Sequence, residues 1–123
     1  MSPTASPLEG FWRMTRAEFE GESAPELVAA KTTLQLAAEH YAVCFDGEII
    51  DEGVFTAKNP VEFPLLFFTG ERGTNTGRTI PAIYQCVGDR LRICYGFGGQ
   101  SPASFATAAG SQLYLASYRR VLR

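Results

Sequence analysis

The chain has 123 residues, of which 46% are apolar, and its 11 basic and 13 acidic side chains give a formal net charge of −2. This length suits one domain, and this apolar fraction excludes a chain that stays disordered. The near balance of charge argues against nucleic-acid binding, which draws on clustered lysine and arginine, and no apolar run approaches the ~20 residues of a membrane-spanning helix.

The N-terminal segment, Met1–Pro7, is short, polar and contains proline. It has neither the basic region nor the apolar region of a secretory signal, so we expect a cytoplasmic protein if the chain is full-length. The sequence predicts an N-terminal tail over residues 1–7 and a single barrel domain over residues 8–123.

The first half of the chain is predicted to form strands and one short helix. Leu8–Phe19 is the first strand, and Ser23 is placed as the N-cap of a helix over about Ala24–Ala30. A second strand begins at Thr32–Leu36, and the alternation in Tyr41–Phe45 is typical of a strand. Asp46-Gly47 predicts a hairpin turn because both central residues of a type I′ turn need positive φ.

The second half continues with short strands and turn residues. Gly53 lies inside the next strand and predicts a bulge or a bend, as a closing barrel needs. Further strands are predicted at Val61–Thr69, Thr79–Val87, Arg90–Phe97 and Gln112–Leu122. With no alternation of strands and helices, this pattern predicts an all-β fold, an eight-stranded antiparallel up-and-down barrel with one short helix after the first strand.

Several short motifs occur in a defined order along the chain. They are Gly10-Phe11-Trp12, Gly53-Val54-Phe55, Pro60, Gly77-Arg78-Thr79, the segment from Ile83-Tyr84 through Gly88-Asp89-Arg90-Leu91 to Tyr95, and Pro102 to Phe105. In this order and spacing the chain resembles a family of uncharacterised lipocalin-like bacterial proteins, of the type found in planctomycetes and acidobacteria, within the calycin-like barrels. The resemblance implies a lipocalin-like barrel and no established activity. Ser101 and Pro64 depart from the family pattern, which tends to carry Arg and Asp there.

The resemblance also implies a structural pairing at the closed end of the barrel. In lipocalins the tryptophan of the Gly-x-Trp motif lies under an arginine from the last strand. Here Gly10 and Trp12 would supply the motif, and Arg119 or Arg120 would supply the guanidinium. A guanidinium over an indole face gains a cation–π contact, so these residues are expected to be structural.

The residues that could carry catalysis or bind a metal are few. His40 is the one histidine, and Cys44, Cys86 and Cys94 have no metal-like spacing and are expected to be free thiols. The acidic residues Asp46, Glu48, Asp51 and Glu52 surround a turn and are expected to form a solvated rim. The sequence therefore predicts a protein that is not an enzyme and has no metal or cofactor.

The aromatic residues indicate what the barrel could hold. Tyrosines that point into a partly open interior would give an apolar pocket a few polar groups, which suits a small, largely apolar ligand. The predicted lining is Tyr41, Phe67, Tyr84, Ile93, Tyr95 and Leu115. The alternative is a solid barrel that acts as a protein interaction or homodimerisation module through Leu65–Phe68 and the loop Gly96–Ser111.

Overall fold

The computed structural model describes residues 8–58 and 64–121. Outside these ranges lie Pro60, the Val61 end of one predicted strand, the tail over residues 1–7 and Arg123. The elements within these ranges are β1 (Gly10–Phe19), β2 (Glu22–Ser23), α1 (Glu26–Ala30), β3 (Thr32–Ala37), β4 (His40–Phe45), β5 (Glu48–Lys58), β6 (Leu65–Gly73), β7 (Thr79–Val87), β8 (Arg90–Gly96) and β9 (Leu113–Arg120).

Eight long strands close into an antiparallel barrel in sequential order. Strands β1 and β3 to β9 each pair with their neighbours, and β9 pairs back onto β1, with Trp12 opposite Arg120 and Phe19 opposite Tyr114. The two-residue strand β2 pairs only with the end of β1. The predicted all-β, eight-stranded up-and-down barrel is confirmed.

The short helix near the start of the chain is also confirmed, but its predicted cap is wrong. Pro25 occupies the N-cap position of α1 with an extended backbone, and no side chain caps the helix. Ser23 instead pairs with Glu18 in the sheet, because the chain adds β2 before it turns into the helix. At five residues α1 is far too short to cross a bilayer, and no other helix in the described ranges could do so.

Two tight turns connect β3, β4 and β5. Asp46 and Gly47 both have positive φ, as the predicted turn requires. The turn between β3 and β4 is formed by Ala38 and Glu39, which also have positive φ although neither residue is typical of such a turn. The Ala38 backbone N–H donates to the Glu9 carboxylate at 2.8 Å, which ties this turn to the start of β1.

Bulges decide which side chains face the interior. The predicted irregularity at Gly53 is present, and a side chain there would collide with the carbonyl of Thr69. A second register shift lies in the β4–β5 pairing, where Ile50 is the extra residue before Asp51. This bulge puts Asp51 and Phe55 on the same inner face as Tyr41, because opposite residues of paired strands share a face.

The interior has a packed end and a cavity end. The packed end is filled by large side chains that are almost completely buried and do not line the cavity at the opposite end. These side chains are Trp12, Leu36, Leu66, Leu91 and Ile93. At the other end the interior is not filled, which positions the candidate site.

Candidate functional site

The barrel contains a cavity of about 270 Å³ at the end near α1 and the β4–β5 turn. Val28 of α1 and Ile50 of the β5 bulge lie on its edge and are 40% and 43% exposed, so the cavity reaches solvent at this end. Inner-face side chains of β1, β3 to β9 and the segment after β6 form the wall. The lining includes Tyr41, Asp51, Phe68, Asn75, Tyr95, Phe97, Tyr114 and Tyr118.

An aromatic cluster forms one side of the cavity. Phe68 lies at its centre, with ring centroids 5.1 Å from Tyr41 in an edge-on arrangement and 5.4 Å from Tyr95. Tyr95 in turn stacks on Phe97 at 5.9 Å and lies 5.7 Å from Tyr114. Such pairs stabilise by roughly 0.5–1.5 kcal/mol beyond their burial, so the cluster gives the cavity a firm apolar wall.

Three of the four tyrosine hydroxyls at the cavity are paired with one another or with a weak acceptor. The hydroxyl oxygens of Tyr95 and Tyr118 are 2.9 Å apart, and the Tyr114 hydroxyl donates to the sulfur of Met14 at 3.8 Å. Burial raises the pKa of Tyr95, Tyr114 and Tyr118 above the ordinary value. These phenols therefore stay neutral near neutral pH and act as hydrogen-bonding groups in an apolar wall.

Asp51 supplies the one carboxylate among the described residues that line the cavity. It is only 6% exposed and accepts hydrogen bonds from the Tyr41 hydroxyl at 3.2 Å, the Asn75 backbone N–H at 3.1 Å and the Asn75 side-chain amide at 2.9 Å. The ion pairs found in the described ranges, Arg72 with Glu52 and Arg120 with Asp89, do not involve it. Its charge is therefore held by neutral donors and not by a cation.

Tyr41 is the link between this carboxylate and the aromatic cluster. Burial, and then the negative charge of Asp51, raise the pKa of Tyr41 well above the ordinary value. Its hydroxyl therefore remains protonated and donates to Asp51. The expectation that Asp51 belongs to a solvated rim is wrong, because the bulge at Ile50 turns its side chain inward.

Four of the six predicted lining residues face the interior, but only two reach the cavity. Tyr41 and Tyr95 line it, and both belong to the aromatic cluster. Tyr84 and Ile93 are opposite each other in the β7–β8 pairing and lie towards the packed end, outside the cavity lining.

The other two predicted lining residues, Phe67 and Leu115, lie on the outer face, so their placement in the lining is corrected. Phe67 lies between the buried inner residues Leu66 and Phe68, and side chains alternate along a strand. Leu115 lies opposite Cys94 on the outside of the sheet. An apolar run such as Leu65–Phe68 has no alternation of its own, so its sequence does not reveal which members face inward.

Part of the outer face of β7 to β9 is covered by the segment over residues 97–112. Cys94 and Ile83 are opposite each other on this face and are nonetheless almost completely buried. Cys94 lies against the backbone of Ala106, and Phe105 lies under the guanidinium of Arg92 at 3.9 Å. The loop Gly96–Ser111, which the alternative prediction assigned to a partner surface, therefore packs partly on the barrel itself.

The Gly-x-Trp motif lies at the packed end, as the resemblance implies. The guanidinium of Arg120 lies 4.3 Å from the Trp12 ring and donates to the Glu9 carbonyl at 2.6 Å and to Asp89 at 3.2 Å. The indole N–H of Trp12 donates to the Leu8 carbonyl at 2.9 Å. The arginine that covers the indole is Arg120.

Gly10 and Arg119 are the other two residues that were predicted to be structural at this end. A side chain at Gly10 would come within 2.6 Å of the Arg120 guanidinium, and Gly10 has a φ of +145°, so glycine fits this position best. Arg119 is exposed on the outer face and points away from the indole, because neighbouring residues of a strand alternate.

Burial lowers the reactivity of two of the three cysteine thiols. No disulfide bond joins Cys44, Cys86 and Cys94, which all lie in the described ranges, and burial raises the pKa of the Cys86 and Cys94 thiols. Raised pKa values reduce the thiolate fraction and hence nucleophilicity. Over residues 8–58 and 64–121, no group of three or more His, Cys, Asp or Glu side chains is placed to hold a metal ion.

Comparison of the chain with protein-family models, curated proteins and solved structures finds no match. The fold is consistent with a calycin-like barrel, and the resemblance to lipocalin-like proteins rests on the motifs quoted above.

Proposed function

We propose that this barrel is a non-catalytic binding protein for a small, largely apolar molecule held in the cavity. The observation that carries this proposal is the cavity of about 270 Å³, walled by the aromatic cluster and open beside α1. Pockets that bind small molecules are typically about 300–1,000 Å³, mostly apolar, with a few placed polar groups. This cavity is slightly smaller than that range, so a compact ligand fits it better than haem or a long fatty acid.

The polar part of the wall suggests the chemistry of one end of the ligand. Asp51 accepts hydrogen bonds from Tyr41 and Asn75 and has no cation beside it among the described residues. A carboxylate held this way favours a hydrogen-bond donor or a positive charge, and aromatic faces also attract cations. The ligand class that fits is an aromatic or aliphatic body with an amine or another donor at one end.

The same groups support binding over catalysis. General acid–base chemistry needs a titratable group poised near the working pH and close to a reacting centre. Among the described lining residues there is one carboxylate and no histidine or cysteine, and burial holds the tyrosines in their neutral form.

A thermal-shift series tests this function with three probes of similar size: indole, phenethylamine and octanoate. A ligand that binds only the folded state raises the melting temperature. We expect the largest increase with phenethylamine, a smaller one with indole and the smallest with octanoate. Val43→Trp would fill the cavity and abolish the shifts, whereas the control Val87→Trp changes an exposed residue outside the lining and would preserve them. Unchanged melting temperatures with all three probes would contradict the proposal.

A second candidate is a partner-binding module, and it now rests on a different surface from the one first predicted. Leu27 and Ile49 are 75% and 56% exposed in α1 and at the start of β5, the two elements that flank the cavity opening. Exposed apolar groups on one side of a molecule favour contacts with another protein. Light scattering that shows a concentration-dependent dimer, lost in Leu27→Ser with Ile49→Ser, would support this candidate. A monomer at all concentrations would remove its homodimer form.

A further inference from the structure

A row of arginines crosses three neighbouring strands on the outer face of the barrel. Arg119 of β9 lies directly opposite Arg13 of β1 on one side and Arg90 of β8 on the other. One step along the strands, Ser117 lies between Arg16 and Arg92 in the same way. We call this surface the arginine face, and it consists of Arg13, Arg16, Arg90, Arg92 and Arg119.

The arrangement is unfavourable for the protein alone. Adjacent strands are about 4.8 Å apart, and like charges directly opposite each other destabilise a sheet. Two carboxylates lie near the face, but neither pairs with its arginines: Glu18 accepts a hydrogen bond from Thr107, and Asp89 is paired with Arg120. No ion pair found in the described ranges involves the arginine face. A positive row without ion-pair partners is therefore available to an anion.

The shape of the surface also suits a bound group. A groove of about 480 Å³ runs along it, with the small side chain of Ser117 between Arg90, Arg92 and Arg119. Arg92 is already oriented, since its Nε donates to Gln85 at 2.8 Å and its guanidinium packs on Phe105. Its remaining N–H groups can donate to a ligand without a further loss of side-chain freedom.

We propose that the arginine face binds a compact polyanion that carries two or more phosphate groups. Guanidinium groups match phosphate oxygens in bidentate pairs, and several of them at strand spacing suit phosphates that follow one another closely. The face is only three strands wide, about 10 Å. Five of the 11 basic side chains lie on it while the whole chain has a net charge of −2, so the rest of the surface repels a long polyanion.

Isothermal titration with inorganic tripolyphosphate at low ionic strength tests this proposal. We expect the wild-type protein to bind, with an affinity that falls as salt is added. Arg119→Gln removes the centre of the row and should weaken binding about tenfold or more. Arg72→Gln is the matched control, because Arg72 is an exposed arginine on β6 away from this face, and it should leave the affinity unchanged.

The folded state provides a second readout. Arg119→Gln relieves like-charge contacts, so without ligand it should melt at the same or a higher temperature than wild type at low salt. Tripolyphosphate should raise the melting temperature of wild type and Arg72→Gln more than that of Arg119→Gln. A loss of binding in Arg119→Gln would then not be a failure to fold.

Two further probes identify the source of the phosphate groups. Binding of vesicles that contain cardiolipin, whose headgroup carries two phosphates, as well as tripolyphosphate, both lost in Arg119→Gln, would assign the face to a lipid headgroup. Tripolyphosphate binding alone would assign it to a soluble ligand. Absence of tripolyphosphate binding by the wild type would overturn the proposal. So would equal weakening in Arg72→Gln, or binding of a single-stranded oligonucleotide in the absence of tripolyphosphate binding.

Discussion

The packed end and the cavity end of the barrel use aromatic residues in different ways. At the packed end a single indole, that of Trp12, is enclosed between inner aliphatic side chains and the Arg120 guanidinium. At the cavity end the rings of several tyrosines and phenylalanines pack against one another along one wall, in edge-on, tilted and stacked pairs, and leave about 270 Å³ unfilled. The first arrangement stabilises the barrel, and the second leaves room for a ligand, so changes at the two ends should affect different properties.

The largest expected effect is at the packed end. Trp12→Ala removes the largest completely buried side chain and should lower the free energy of unfolding by about 3–5 kcal/mol, measured by urea denaturation. Tyr114→Phe, at the cavity end, is the comparison and should change stability by less than about 1 kcal/mol at neutral pH. Similar losses in both variants would show that the two ends do not differ as described.

Substitution of Arg120 tests whether its contact with the Trp12 indole stabilises the barrel. Arg120→Met keeps a long apolar side chain but removes the cation and its hydrogen bonds to Glu9 and Asp89, so we expect a loss of about 1–3 kcal/mol. Arg119→Met is the control on the adjacent, outward position and should lie within about 0.5 kcal/mol of wild type. The measurement is again urea denaturation, and reversed effects would assign the structural role to Arg119.

High pH should destabilise the barrel mainly through its buried tyrosines. Burial raises the pKa of all five tyrosines, so in the folded state they keep their protons above pH 10, where the unfolded chain loses them. The unfolded state then binds fewer protons, and stability falls as the pH rises beyond about 10, by up to about 1.4 kcal/mol per pH unit for each tyrosine.

Urea denaturation at pH 8 and pH 11 measures this loss, and Tyr114→Phe should reduce it. Phenolate absorbance should appear together with unfolding, because the folded barrel keeps its tyrosines protonated. Phenolate absorbance that develops near pH 10 in a chain that is still folded would contradict the buried state of these hydroxyls.

Asp51→Asn should affect stability only modestly and should mainly change which ligand binds. The amide keeps one oxygen for the Tyr41 hydroxyl but brings its own N–H groups towards the donors of Asn75, at a cost of about 1 kcal/mol. The thermal shift with phenethylamine should fall while the shift with indole is retained. Equal loss of both shifts would mean that Asp51 shapes the cavity without recognising a charge.

Some turns and strands of this chain are predicted by neighbouring residues, and others are decided by pairing between strands. Asp46-Gly47 and the alternation over Tyr41–Phe45 predicted their hairpin correctly, since these signals act between neighbouring residues. The turn at Ala38-Glu39 has no such signal, and its positive φ values are held by pairing of β3 with β4 and by the hydrogen bond to Glu9. The bulge at Ile50 is likewise decided by pairing, and it moved Asp51 from the predicted rim into the cavity wall.

The sequence alone therefore determined the all-β class and the number of barrel strands, because hydrophobic alternation and turn residues are read locally. The position of Gly10 and Trp12 at the closed end was what the family resemblance implied. Only the tertiary structure decided which of Arg119 and Arg120 covers the indole, which apolar residues face outward, and that five arginines from β1, β8 and β9 share one surface. These outcomes depend on register between strands that are up to about a hundred residues apart, and a shift of one residue would reverse every face.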